Sequence, residues 1–443
     1  MFMRHRNDAL HALPMREALM AMRSGRSPVE VADAALARVR ETEPLIHAFA
    51  HLDEARVRRA AERAATLPSS LPLRGVGIGI KDIIDTAGLP TELGSPIHAG
   101  RRPSTSAACI ERLEAAGGYV FGKTVTTAFA FVDPGPTRNP WNPAHTPGGS
   151  SSGSAAAVAA AQIPAALGTQ TNGSVIRPAA FCGVVGFKPT HGLLPFAGAH
   201  VFSATFDTLG TFTRTVADAA LLAGTLASPH RLRVEIDVPA RAPHLALLSA
   251  YPWSDIAPDA AHALTAAAVA LRSAGATVTA VGYPAAWRDA HRVHRTIMLY
   301  EGARVLAAVQ AAHRDQLSPL TNAALDEGHA IGETDYRAAL AARTQAMAYF
   351  SDWMAPYDAV LSPPANGAAP AGLASTGDPG CCTLWSLTGF PAINLPIALS
   401  AARLPLGMQM AARAGADDAL LGVAAWCESR LGFGAWIAPM DSP

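Results

Sequence analysis

Apolar positions along the chain switch between two periods. Over residues 8–68, Ala, Leu and Val recur at helical spacing with Arg and Glu between them, most clearly over 29–40 and 52–65, and predict helices. The Pro/Ser/Leu stretch 68–72 ends that block. Residues 73–80 alternate glycine with Val and Ile, the pattern of a closely packed buried strand. Residues 107–116 predict a helix stopped by Gly117-Gly118, and 119–121 another strand. A Pro/Asn/Gly loop over 133–149 follows, and loops of that length inside a compact domain usually carry function. Residues 150–166 turn from Ser-rich to Ala-rich, a loop running into a tightly packed helix, and 169–189 are dense in Gly, Thr and Val. From 216 to about 350 amphipathic helices alternate with short strands such as 277–281. Buried strands are expected at 358–363 and 393–397, and a last helix at 417–431. Helices and strands interleave with no repeat and no linker-like shift. The expected class is therefore α/β with one large sheet.

Composition narrows the function. The chain has 443 residues, and its 35 basic and 35 acidic side chains cancel to a net charge of zero. A nucleic-acid binder normally shows a basic excess on one face, and a disordered chain has few hydrophobic residues; here they are 50%. The start, Met1-Phe2-Met3-Arg4-His5-Arg6, is charged with no apolar stretch of signal-peptide length behind it. The longest weakly polar run, 154–168, is broken by Gln162 and Pro164 and is too short for a membrane span. Five cysteines, odd in number and without metal spacing, are expected as small core residues in a reduced, cytoplasmic protein holding no metal. One count stands out. Only Lys81, Lys123 and Lys188 are lysines among the 35 basic residues, so each lysine needs a reason.

Two patterns mislead. Gly117-Gly118-Tyr119-Val120-Phe121-Gly122-Lys123-Thr124 spells a phosphate-binding loop, but it begins at a helix end and its middle reads as a strand. Gly149-Ser150-Ser151-Ser152-Gly153 spells a nucleophile elbow, but a loop precedes it where that motif requires a strand.

Three segments carry chemistry together. Gly77-Ile78-Gly79-Ile80-Lys81-Asp82 sets a lysine at an apolar strand end. Thr146-Pro147-Gly148-Gly149-Ser150-Ser151-Ser152-Gly153-Ser154 packs hydroxyls among glycines. Gly168-Thr169-Gln170-Thr171-Asn172-Gly173-Ser174 places another serine among successive backbone amides. A serine nucleophile needs a base, and a lysine can serve once burial lowers its pKa from about 10.4 by several units. Arginine keeps its proton, which gives a physical reason for lysine at 81 in an arginine-using chain. The competing expectation is that Lys81 merely pairs with Asp82 or Asp85.

In order and spacing these segments resemble the amidase signature family, with Gly183-Val184-Val185-Gly186-Phe187-Lys188-Pro189-Thr190 as the family-like tail. Arg138-Asn139-Pro140-Trp141, Asp207-Thr208-Leu209-Gly210, Arg214-Thr215-Val216-Ala217-Asp218, Thr388-Gly389-Phe390-Pro391 and Leu404-Pro405-Leu406-Gly407-Met408-Gln409 extend the likeness over nearly the whole chain. The resemblance implies the amidase signature fold, a single large α/β domain with a mixed central β-sheet covered by helices on both faces, with N-terminal helices over 1–70, a signature core over 71–220, a variable helical region over 221–355 and the rest of the core over 356–443. It implies Ser174 as nucleophile, Ser150 as bridging serine after a cis Gly149-Ser150 bond, and Lys81 as base. Thr171, Asn172, Gly173 and Ser174 would supply oxyanion amides, and Ser151 a supporting hydrogen bond. Ala128, Phe129 and Phe131 would line an acyl pocket suited to an apolar or aryl group, although both phenylalanines would serve equally well as core. No cofactor is implied. The expected substrate is a small amide or carbamate, without nucleic acid or membrane, and a homodimer stays open. The alternatives are an ester or carbamate hydrolase, a non-catalytic scaffold, and an amidotransferase A-type subunit. The chain departs from the family pattern at Gln170, where an Asp is usual, at Ser152 and Asn172, which replace glycines, and at Arg177, one residue later than usual.

Overall fold

The structure is a computed structural model and describes residues 9–228, 231–432 and 435–440; the charged start of the chain lies outside the described residues. The first block is helical as its periodicity predicts, except that a short strand, Phe49–His51, interrupts it. Helix Pro28–Ile46 begins with Pro28 after Ser27, whose side chain and that of Glu30 cap the end reciprocally. Helix Glu54–Ala65 starts from Asp53, whose carboxylate accepts the Arg56 amide.

Eleven strands form one mixed sheet among the described residues. They are β1 Phe49–His51, β2 Gly77–Lys81, β3 Tyr119–Thr124, β4 Ala165–Gln170, β5 Val185–Lys188, β6 Thr208–Thr213, β7 His244–Leu248, β8 Thr277–Val281, β9 Ala359–Ser362, β10 Ala392–Leu399 and β11 Pro405–Ala411. Their order is β1-β3-β2-β4-β6-β5-β10-β11-β9-β7-β8. β2 runs parallel to both β3 and β4, and β7 parallel to β8 and β9; the remaining pairs are antiparallel. Strand side chains alternate between two cores. Ile78, Ile80, Val120 and Leu167 face one, where helices Met15–Arg23, Ala108–Ala115 and Val216–Leu226 cover them. Tyr119, Phe121, Ala166 and Phe212 face the other, beneath helices Pro28–Ile46, Glu54–Ala65 and Ser152–Ala159. A sheet covered on both faces needs strands without a polar face, which is why β2 alternates isoleucine with glycine and β3 opens on a Tyr-Val-Phe run.

Some boundaries differ from expectation. The 73–80 strand is Gly77–Lys81, because residues 71–75 turn, and Leu73 and Gly75 donate to the carbonyls of Ala116 and Gly117 at the end of helix Ala108–Ala115. The helix expected to reach 166 ends at Ala159, and β4 starts at Ala165. Residues 119–124 of the phosphate-loop lookalike are strand β3, and Lys123 is buried, so that pattern cradles nothing. All five cysteines are buried and unpaired. Among the described residues no helix is long and apolar enough to cross a membrane.

The Ser/Gly segment is pressed against the sheet. A Cβ on Gly153 would lie 2.1 Å from the Ala48 carbonyl oxygen and 2.4 Å from the Val125 nitrogen. One on Gly168 would lie 2.7 Å from Ser151 Oγ. Only hydrogen fits at either place. Gly153→Ala is therefore expected to cost on the order of 3 kcal/mol, since backbone on both sides would have to move. A lowered urea midpoint would show it; an unchanged midpoint would show that this approach is not tight.

Candidate active site

Register brings the site together. β2 pairs in parallel with β4, Ile80 opposite Leu167, so Lys81 at the end of β2 reaches the hydroxyl row that closes β4. Its Nζ donates to Thr169 Oγ1 at 2.8 Å and lies 2.7 Å from Ser150 Oγ. The side chain is fully buried. Burial lowers its pKa to about 7, and the charge of nearby Asp207 restrains the fall. Lys81 pairs with neither Asp82 nor Asp85. Asp82 faces Lys123 Nζ at 3.4 Å, and Asp85 takes a two-pronged contact from Arg101. The ion-pair expectation for Lys81 fails because both carboxylates are already taken.

Ser150 follows a cis peptide bond to Gly149. Its carbonyl accepts the Thr127 amide at 3.1 Å, which ties the serine segment to the loop after β3. Ser151 Oγ donates to the Thr169 carbonyl at 3.2 Å and accepts the Thr169 amide at 3.3 Å, bracing the residue that contacts Lys81. Ser152 and Ser154 donate to the carbonyls of Val125 and Leu167.

Ser174 stands between β4 and helix Ile176–Cys182, 8% exposed. Its hydroxyl makes no hydrogen bond to Ser150 or to any other described residue. The amides of Asn172, Gly173 and Ser174 likewise donate to no described group, so three successive N–H groups stand free beside the serine. Gln170 takes over what an Asp could do there: its Oε1 accepts the amides of Val175 and Ile176 at 2.8 and 3.0 Å. Arg177 turns away from Gln170. Buried, it donates to the carbonyls of Gly149 and Gly377 and to Thr376 Oγ1, with no carboxylate in hydrogen-bond reach.

The three expected pocket residues sit together in the turn after β3. Phe129 is buried, with its ring against those of His98 and His200. Phe131 is half-buried and stacks on Phe202 at 4.5 Å, and Ala128 is half-buried beside them. Five neighbours had no assignment from sequence. Thr169 contacts Lys81; Asp207 accepts Thr171 Oγ1 at 2.5 Å; His294, Thr383 and Ser386 reach Thr171 and Asn172 from distant helices. Asp207 carried one signal, its place in a family-like segment. The other helix residues carried none. Among the described residues no cluster of three or more His, Cys, Asp or Glu is arranged to hold a metal ion.

A family model described as Amidase matches residues 30–421. The A-type subunit of the glutamyl-tRNA(Gln) amidotransferase of Chloroflexus aurantiacus is 45% identical over 229 residues, covering 49% of this chain and 47% of that protein. The match thus spans about half the length of that curated relative. A crystal structure described as an amidase is 30% identical, with a TM-score of 0.85 over 95% of this chain and 100% of the other. A 6-aminohexanoate cyclic dimer hydrolase is 26% identical, with a TM-score of 0.87 over 98% and 99%.

The buried amine makes stability depend on pH. The unfolded lysine holds its proton to about 10.4, whereas folded Lys81 releases it near 7. Between those values the unfolded chain binds more protons, so stability rises with pH across that window. Lys123 and Lys188, lowered by burial to about 8 and about 7, add slopes of the same sign. Lys81→Met removes one part. Its stability relative to wild type is expected to improve as pH falls from about 10 to about 7, measured by urea midpoints. A pH-independent difference would mean that the folded amine keeps its proton throughout.

Proposed function

The chain belongs to the amidase family, and from that premise we propose that it hydrolyses amide bonds in small molecules through an acyl-enzyme on Ser174. The observation that carries this reading is the 2.7 Å contact between the buried Lys81 amine and Ser150 Oγ. A neutral amine has two protons to give and one lone pair. Lys81 can donate to Thr169 while its lone pair takes the Ser150 proton. Ser150 in turn takes the proton of Ser174, whose oxygen attacks the acyl carbon. The relay then returns a proton to the leaving amine, and water hydrolyses the acyl-enzyme. The link between the two serines is the one that substrate must complete; such hydrogen bonds commonly tighten only when substrate binds. Amides of Thr171, Asn172, Gly173 and Ser174 hold the developing oxyanion, each donor worth on the order of 3 kcal/mol. Ser151 supports the relay through Thr169. The scheme calls for no cofactor.

Half-buried Phe131, stacked on buried Phe202, supports an apolar or aryl acyl group, with Ala128 and Phe129 in the same turn. Carbamates and esters suit the same centre. A second reading is favoured by the relative in Chloroflexus: an amidotransferase A-type subunit that releases ammonia from glutamine and works with partner subunits. Glutaminase activity together with copurifying subunits would select it over a free-standing amidase.

The test is direct. Ser174→Ala should abolish turnover of a panel of aryl amides, aliphatic amides and carbamates, and labelling by a fluorophosphonate; a Ser174→Ala protein that still turns over would sink the proposal. The rate kcat/KM should rise with pH through about 7 as Lys81 sheds its proton, and Lys81→Arg should be inactive at every pH. Phe131→Ala should shift preference away from aryl substrates, whereas an unchanged profile would assign Phe131 to the core alone.

A further inference from the structure

The three free amides owe their direction to what holds the other side of each peptide. In a trans peptide the carbonyl of one residue and the N–H of the next point opposite ways. Holding the Thr171 carbonyl therefore aims the Asn172 N–H, and holding the Asn172 carbonyl aims the Gly173 N–H. Both carbonyls are held by side chains from helices far along the chain. His294, on helix Ala290–Val305, sets its Nε2 3.1 Å from the Thr171 oxygen. A carbonyl oxygen only accepts, so Nε2 carries the proton. The ring is buried and stacks on Phe206 at 4.3 Å and 14°, which fixes its plane. Ser386, on helix Thr383–Thr388, donates its hydroxyl to the Asn172 oxygen. The next carbonyl, that of Gly173, accepts the Arg177 amide at 2.9 Å at the start of its own helix.

The Ser386 hydroxyl has a direction because of Gln170. Two backbone amides occupy Gln170 Oε1, so the side-chain amide must turn Nε2 to Ser386 Oγ, at 3.1 Å. An NH2 group only donates. Ser386 accepts from it and is left with its own proton for Asn172. A carboxylate at 170 would do the reverse, drawing that proton to itself and releasing the Asn172 carbonyl. Thr383 secures the same residue by donating to Asn172 Oδ1 at 2.9 Å.

We infer that His294 and the Gln170–Ser386 pair are positioning residues that pre-orient the Asn172 and Gly173 amides toward the acyl oxygen of the substrate. The inference rests on the acyl-enzyme reading above. None of the three touches the reacting atoms; they act through the peptides they hold.

Steady-state kinetics on an aryl amide and on a p-nitrophenyl ester tests it. His294→Leu and Ser386→Ala are each expected to lower kcat about tenfold or more with KM within about twofold, as for a misaimed oxyanion donor. His294→Gln, whose Nε2 sits where the imidazole Nε2 does, and Ser386→Thr should recover most of the loss. A purely structural role would not separate these pairs, provided that thermal midpoints within each pair agree. Gln170→Glu should match Ser386→Ala and cost nothing further in a Ser386→Ala background. Wild-type kcat in His294→Leu and Ser386→Ala would overturn the inference and leave the Ser174 chemistry standing. Equal losses in the rescuing and non-rescuing variants would overturn it too. A wild type that hydrolyses neither substrate and takes no fluorophosphonate label would instead defeat the acyl-enzyme reading, and the inference with it.

Discussion

Taking the Lys81 amine out of water governs what else the centre contains. A buried ammonium is costly unless it is paired, and a close carboxylate would hold the proton in place. The protein surrounds this amine with hydroxyls instead. Thr169 and Ser150 satisfy its hydrogen bonding, and the nearest charge that acts on it, Asp207, spends its oxygens on Thr171, Phe202 and Ser203. Lys123 gives the contrast inside the same sheet. One strand away, it has Asp82 within 3.4 Å as well as carbonyl and hydroxyl partners, and it is lowered only to about 8. The two lysines differ in the company the fold gives them: the proposed base sits among hydroxyls, whereas Lys123 ties β3 to the loop after β2.

Everything else follows from bringing hydroxyls close to that strand end. Residues 150–154 lie against the sheet at distances that admit no Cβ at Gly153 or Gly168. Helix Ser152–Ala159 is made of the smallest residues because it is wholly buried against sheet and neighbouring helices. The Ala and Gly content of the chain is thus a packing requirement. It lets a sheet covered on both faces carry a lysine and a row of hydrogen-bonded hydroxyls at its centre.

Fold class and much of the site were legible in the sequence because they depend on local signals. Glycine alternating with Val and Ile marked β2, the Tyr-Val-Phe run marked β3, and the order of three Gly/Ser segments pointed to where lysine and serines belong. What was not legible depends on distance along the chain. Lys81 meets residues 69 and 88 positions away, and His294 lies 123 from the carbonyl it holds; no periodicity reports such encounters. Strands β6 and β11 escaped notice for a different reason. Both are nearly or fully buried yet carry Thr, Gly or Gln, so neither alternation nor an apolar run marks them. Gln170 was visible as a departure, but only its two accepted amides reveal which way its NH2 group must face.

The strand order also imposes a schedule on synthesis. The first six positions of the sheet, from β1 to β5, are filled entirely by residues 49–213, and β5 gains its outer neighbour only when β10 is made. At about 5–20 residues per second, the stretch from Lys188 to Ala392 takes roughly 10–40 s to emerge. For that interval β5 is an unpaired edge, the kind of surface that recruits foreign strands. Its brevity, four residues ending in a lysine, is a physical safeguard for a nascent chain that holds all three candidate proton-relay residues well before its last strands exist.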